Sequence, residues 1–173
     1  STSISQKTDS LGNLEVRHYS GTFFEIVRNK VLLKTVLTGN SAPINSIKIN
    51  RIYNYVSVAF KDGKISHYDL GTGELLFSSI ILNSNTYIHT IANGYYFGSK
   101  KIFTFLNCVR GSKILPHYQV DAEYNRPDRV IKCIPQHDSL FAAAIAHSYE
   151  KRQNKLSEQN GENSDITLLA EKA

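Results

Sequence analysis

Short apolar runs recur along the chain, many alternating apolar with polar residues, and turn residues interrupt them at close intervals. Leu14-Glu15-Val16-Arg17-His18-Tyr19 places its larger apolar side chains on one face of an extended segment, as a half-buried strand requires. Phe23 to Val27 and Val31 to Leu37 follow on either side of the polar turn Arg28-Asn29-Lys30. The β-branched content of the second run and the stop at Gly39-Asn40-Ser41 favour strand over helix. The clearest stretch is Ile44 to Ile81. Four apolar runs fit there, with Pro43 at the entrance, Asp62-Gly63 in the middle hairpin and Gly71-Thr72-Gly73 before the last run. Four strands without an intervening helical pattern predict an antiparallel all-β unit.

The unit repeats. First strands are expected at Ile44–Ile49, Tyr87–Ile91 and Val130–Ile134, so that Ile47, Ile91 and Ile134 recur at intervals of 44 and 43 residues. Second strands are expected at Tyr53–Phe60, Tyr95–Phe97 and Leu140–Ala146. Third strands fall at Phe23–Val27, Ile65–Leu70, Ile102–Leu106 and Ile166–Leu169. Fourth strands fall at Val31–Leu37, Leu75–Ile81 and Ile114–Val120. A four-stranded repeat of about 40–45 residues is the period of β-propeller blades, each of which must stack on neighbours to bury its faces. The expected organisation is a polar tail or loop at 1–13, part of a blade at 14–38, and blades at 44–81, 87–120 and 130–173. The last is interrupted by the polar insertion 148–164, whose composition suits a mobile loop or a short helix.

Over 44–81 the residues resemble a WD40-type repeat. Ser46-Ile47-Lys48-Ile49 matches the inner strand, Val56 to Phe60 the second, and Ile65 to Leu70 the third, with Tyr68-Asp69 where the family carries Trp-Asp. Gly73-Glu74-Leu75-Leu76 fits the turn into the outer strand. The family's Gly-His dipeptide is absent, Gly39-Asn40 standing nearest, and the next repeat ends Phe103-Thr104-Phe105-Leu106-Asn107 without such a pair. The resemblance is therefore to a divergent WD40-like propeller, and it implies a non-enzymatic interaction scaffold within a nuclear or cytoplasmic multiprotein complex. With so few repeats, the ring is expected to be completed by sequence outside this chain or by strands of a partner chain.

Composition adds three constraints. No apolar run approaches the ~18 residues of a membrane span. The N-terminus begins at Ser1, shows no signal-peptide pattern, and the chain contains no Met, so a processed or trimmed piece is expected. Two cysteines, Cys108 and Cys133, make no disulfide framework and read as thiols of a reducing compartment.

Net charge is +5, and the excess lies between Lys100 and Lys155, where ten Lys/Arg face five acids. Lys100, Lys101, Arg110, Lys113, Arg126, Arg129, Lys151 and Arg152 are the candidate partner-binding residues. They suit an acidic protein surface or, alternatively, the phosphates of an RNA- or DNA-associated assembly. Tyr95-Tyr96-Phe97 beside Lys100, Lys101 and Phe103 interleaves rings and cations; alternation puts Tyr95 and Phe97 on one face and Tyr96 on the other, the arrangement that packing needs.

Catalytic chemistry finds no carrier. Cys133, His137 and His147 lack the convergent spacing of a zinc site, and His137-Asp138-Ser139 are sequence neighbours, unlike the members of a triad. There is no phosphate-binding loop, dinucleotide fingerprint or nucleophile elbow. No enzyme activity, cofactor or metal is expected.

Overall fold

A computed structural model describes residues 7–19, 21–105, 107–110, 112–115, 117–135 and 138–170, with the backbone alone described at positions 7, 8, 11, 108, 110, 117–119, 122 and 156–170. Strands β1 (Lys7–Leu11), β2 (Leu14–His18), β3 (Phe23–Arg28) and β4 (Val31–Leu37) form one antiparallel sheet in chain order. Strands β5 (Ile44–Asn50), β6 (Tyr55–Phe60), β7 (Lys64–Asp69), β8 (Leu75–Asn83), β9 (Thr86–Thr90) and β10 (Tyr96–Gly98) form a second, again in chain order. The sheets meet where β1 and β2 lie against β5. Two antiparallel meanders thus stack face to face, an arrangement consistent with the expected partial β-propeller.

Alternation explains the stacking. In the first sheet Val16, Phe24, Ile26 and Val36 point to one side; in the second Val56, Val58, Phe60 and Tyr68 do, and all eight are buried in one apolar cluster. Each such side chain contributes about 1.5–3 kcal/mol when removed from water, a gain neither sheet obtains alone. Polar contacts fix the relative placement. The Asp9 carboxylate accepts the Ile49 N–H at 2.7 Å, the Ile44 N–H donates to the Gly21 carbonyl at 3.0 Å, and the Tyr68 hydroxyl donates to the Thr38 carbonyl at 3.1 Å. Tyr68 is a buried ring, edge-on to Phe24 with centroids 5.2 Å apart. Its neighbour Asp69 closes the next turn, its Oδ1 accepting the Gly71 and Thr72 N–H groups at 2.8 and 2.7 Å. The Asp62-Gly63 hairpin forms as expected, with Gly63 at φ 86°.

Four expectations are corrected. The supposed tail 1–13 contains β1, which pairs with β2 around Gly12, so the first sheet has four strands; residues 1–6 lie outside the described part. An edge strand held by a backbone ladder can be polar, and its pattern hides it.

Tyr87–Ile91 begins no new blade. The Asn83–Thr86 turn is too short to carry the chain to another sheet, so β9 folds back on β8 and extends the second sheet to six strands.

The expected third and fourth strands of 87–120 are replaced by a 3-10 helix at Lys100–Thr104, a small hairpin of β11 (Cys108–Arg110) and β12 (Lys113–Leu115), and helix α1 (His117–Tyr124). Leu106 lies outside the described residues. Ile102 sits instead under β9 and β10 with Ile88 and Tyr96.

Helices replace the last expected blade: α2 (Pro127–Lys132) takes the start of the strand expected at Val130–Ile134, with Cys133 and Ile134 in the turn that follows, and α3 (Ser139–Ala170) takes those expected at Leu140–Ala146 and Ile166–Leu169 and the insertion 148–164. Residues 136, 137 and 171–173 lie outside the described part. Pro127 begins α2, where its missing N–H costs nothing. Asp138 Oδ1 accepts the Leu140 N–H at 2.8 Å to start α3, and Ala142-Ala143-Ala144 favours helix and is poor in strands.

Gly73 is a point of close approach between the sheets. At φ 70°, a Cβ there would meet Val36 Cγ2 at 2.9 Å and Lys34 Cδ at 3.0 Å. Gly73→Ala is therefore expected to lower stability by about 1–3 kcal/mol in urea unfolding, whereas Gly12→Ala, also at positive φ but with open space around it, loses less.

Candidate interaction surfaces

The two faces of the six-stranded sheet differ. One is covered, by the first sheet over β5 to β7 and by the 3-10 helix and α1 over β9 and β10. The other carries a row of rings, one from each of five successive strands: Tyr55, His67, Phe77, His89 and Phe97. Register creates the row. His67 stands opposite Phe77, and His89 opposite Phe97. The His67 ring stacks on Phe77 with centroids 4.1 Å apart and an interplanar angle of 17°; Tyr55 meets His67 edge-on at 5.4 Å, and Phe97 lies 6.3 Å from His89. The rings shield one another, leaving Phe77 only 5% exposed.

Each imidazole is tied to a serine on the preceding strand. Ser57 Oγ and His67 Nδ1 are 3.0 Å apart, and Ser79 Oγ and His89 Nδ1 are 2.8 Å apart. Burial lowers the pKa of both, and His89 adds a repulsive contribution that takes His67 to about 4. The row is therefore uncharged at neutral pH. In the sequence His67 lies within the expected strand Ile65–Leu70 and His89 within the expected strand Tyr87–Ile91. The shared Ser-x9-His spacing, displaced by 22 residues, was the available signal.

A second surface surrounds the end of β10. The Arg126 guanidinium makes a bidentate pair with Asp128, Nε to Oδ1 at 2.9 Å and Nη2 to Oδ2 at 2.7 Å. Its centre lies 4.2 Å from the Tyr149 ring centroid and 5.6 Å from that of Tyr95. Arg129 sits 4.9 Å from Tyr95, and Arg152 lies 5.2 Å from Tyr149 while donating to the Asn125 carbonyl at 2.9 Å and approaching Asp121 at 3.8 Å. Arginine over tyrosine adds about 0.5–2 kcal/mol per contact. The cluster joins α2, α3 and the turn before β10. The Arg126 hydrogen bonds hold the Asp128 carboxyl below its ordinary range, so the pair's contribution is present above the unfolded-state value and fades as pH falls through the lower folded value.

The eight candidate cations thus divide. Arg126 and Arg152 are engaged within the fold. Lys100 and Lys101 are exposed on the 3-10 helix, Lys113 on β12, Arg129 on α2 and Lys151 on α3. Arg110 lies on β11, its side chain outside the described part. Of the interleaved aromatics, Tyr96 is buried beside Phe103, Phe97 joins the ring row and Tyr95 takes the arginines. Cys133 is a half-buried free thiol whose pKa burial raises, His147 is exposed on α3, and His137 lies outside the described residues. Among the described residues no group of three or more His, Cys, Asp or Glu could hold a metal ion, and no helix is long and apolar enough to cross a membrane.

Two outcomes follow from these surfaces. Because the neutral imidazole is favoured in the folded state, the His67 contribution is complete above pH 6.5 and is lost as pH falls from 6.5 towards 4. The unfolding midpoint should fall across that window, and His67→Phe should flatten the decline. Tyr149→Ala should raise amide hydrogen exchange in α2 and the first turns of α3 while leaving β5 to β8 unchanged.

The chain is similar in structure to the WD40 β-propeller domain of Doa1, known from a crystal structure, with 14% sequence identity and a TM-score of 0.36. The similarity covers 57% of this chain and 37% of that one, so the chain spans well under half of the neighbour's length. No protein-family model matches, and no curated protein matches.

Proposed function

We propose that this chain is a non-catalytic protein–protein interaction scaffold, a WD40-like propeller segment that serves as a subunit of an intracellular multiprotein complex. One observation carries the reading: the second sheet buries one face against the first sheet and helices, while its other face carries an uncharged row of rings in which Tyr55 and Phe77 are packed and His67, His89 and Phe97 are partly exposed. A sheet that stacks on both sides is the working unit of a propeller, and such a face suits association with another protein. The exposed cations Lys100, Lys101, Lys113, Arg129 and Lys151 would attract an acidic partner and contribute chiefly to association rate.

The competing reading, contact with RNA or DNA phosphates, has less to draw on than the sequence offered, because Arg126 and Arg152 are committed to Asp128, Asp121 and Asn125. One experiment separates the two. The tagged chain is used to capture partners at low and high salt, beside a Phe97→Lys variant and a variant with Lys100, Lys101, Lys113, Arg129 and Lys151 changed to Glu. The scaffold reading expects salt-resistant capture that the Phe97→Lys variant loses. Binding of a labelled single-stranded oligonucleotide that falls steeply with salt and disappears in the charge-reversed variant would transfer the function to nucleic acid.

A further inference from the structure

The outer edge of the first sheet is apolar to a degree that edge strands seldom are. Strand β4 has β3 on one side and no strand on the other among the described residues. Val31, Leu32, Leu33 and Leu37 are between 52 and 79% exposed. Edge strands are commonly protected by a lysine whose charge repels added strands. Here Lys34 is the strand's one charged residue, and its ammonium is turned away from the edge to the Thr72 carbonyl of the second sheet, its stem passing Gly73.

The backbone of the edge is regular where it matters. The Thr38 N–H donates inward to the Thr22 carbonyl at 2.9 Å. Antiparallel ladders alternate, so Val36 and Lys34 also face β3, and Thr35 and Leu37 turn their N–H and C=O groups outward. The register shift near Ile26 and Val27, which leaves Leu33 without a partner on β3, lies before this segment.

We propose that β4 accepts an added β-strand from a partner protein, and that the strand is an extended segment alternating apolar and acidic residues. The proposal rests on the scaffold reading and names its surface and the chemistry of its partner. Outward N–H and C=O groups select an extended backbone, because only a strand meets them in register. The flanking apolar side chains select apolar residues. Charge selects the rest: Arg28 at the end of β3 and Lys30 in the turn before β4 are exposed beside this edge, and no acid occurs between Arg28 and Asn40. A second copy of the chain is the poorer occupant. The β4 of a second copy carries no acid to meet these cations.

The test uses the whole chain with two fluorescent synthetic peptides, one alternating valine with glutamate and the other valine with lysine. Anisotropy should show the glutamate peptide bound about tenfold or more tightly than the lysine peptide. Thr35→Pro removes an outward N–H without breaking the ladder to β3, and should weaken binding about tenfold, the worth of one or two main-chain hydrogen bonds. Amide exchange on the unmutated chain gives a readout independent of the variant: Thr35 and Leu37 should gain protection with the glutamate peptide. Failure to bind either peptide, equal binding of both, or unchanged exchange at Thr35 and Leu37 overturns the proposal. A dimer in sedimentation that Thr35→Pro dissociates overturns it in favour of self-pairing. If salt-resistant partner capture persists through any of these failures, the scaffold reading stands and the edge alone is lost.

Discussion

Everything in this molecule depends on one constraint: an antiparallel sheet with one apolar face cannot remain alone in water. Val16, Phe24 and Ile26 on the first sheet, and Val56, Val58 and Tyr68 on the second, answer it for one another. Non-directional burial would tolerate sliding of one sheet over the other, and a few directional contacts prevent it. Asp9 grips the backbone of β5, Tyr68 reaches the carbonyl of Thr38, and Gly73 lets the Asp69 turn lie against β4. The same contacts decide what is left uncovered. Once the inner faces are joined, the ring row of the second sheet and the outer edge of the first remain as the places where further association can occur.

How much of this was legible in the chain follows from which forces act locally. Strands β2 to β8 were readable because alternation, Asp62-Gly63 and Gly73 are local signals. Strand β1 was not, since its residues are polar and its partner is the ladder of β2. The repeat of isoleucines at Ile47, Ile91 and Ile134 was a true period in the text and a false one in space. A short turn at Asn83–Thr86 keeps β9 in the same sheet, and Ile134 follows a helix that Pro127 and Asp128 begin. Connection length overruled strand pattern in the first case, and helix-start chemistry overruled it in the second.

The surfaces were legible to a smaller degree. A count of cations between Lys100 and Lys155 gives a charge but not the partners of each residue. Asp128 lies two positions from Arg126 and was in view, yet Tyr149 and Asp121 come to Arg126 and Arg152 only through the packing of α3 beside α1 and α2. The ring row had a weak local trace in the two Ser-x9-His pairs. Its assembly needs the register of five strands, and register is a non-local property.

The chemistry of that row also bears on how a sheet face can wait for a partner. A face of aliphatic side chains would be costly in water and prone to indiscriminate association. A face of charged side chains would be soluble but would have to lose its hydration on being covered. Tyrosine and neutral imidazole lie between these limits, because their rings pack as apolar surfaces while one polar atom stays hydrated or bonded. Ser57 and Ser79 satisfy Nδ1 of His67 and His89 within the sheet itself, so covering the face strands neither of those nitrogens. Burial already favours the neutral rings before any partner arrives. Most of the cost of making this face apolar is therefore met during folding, and little of it is left to association.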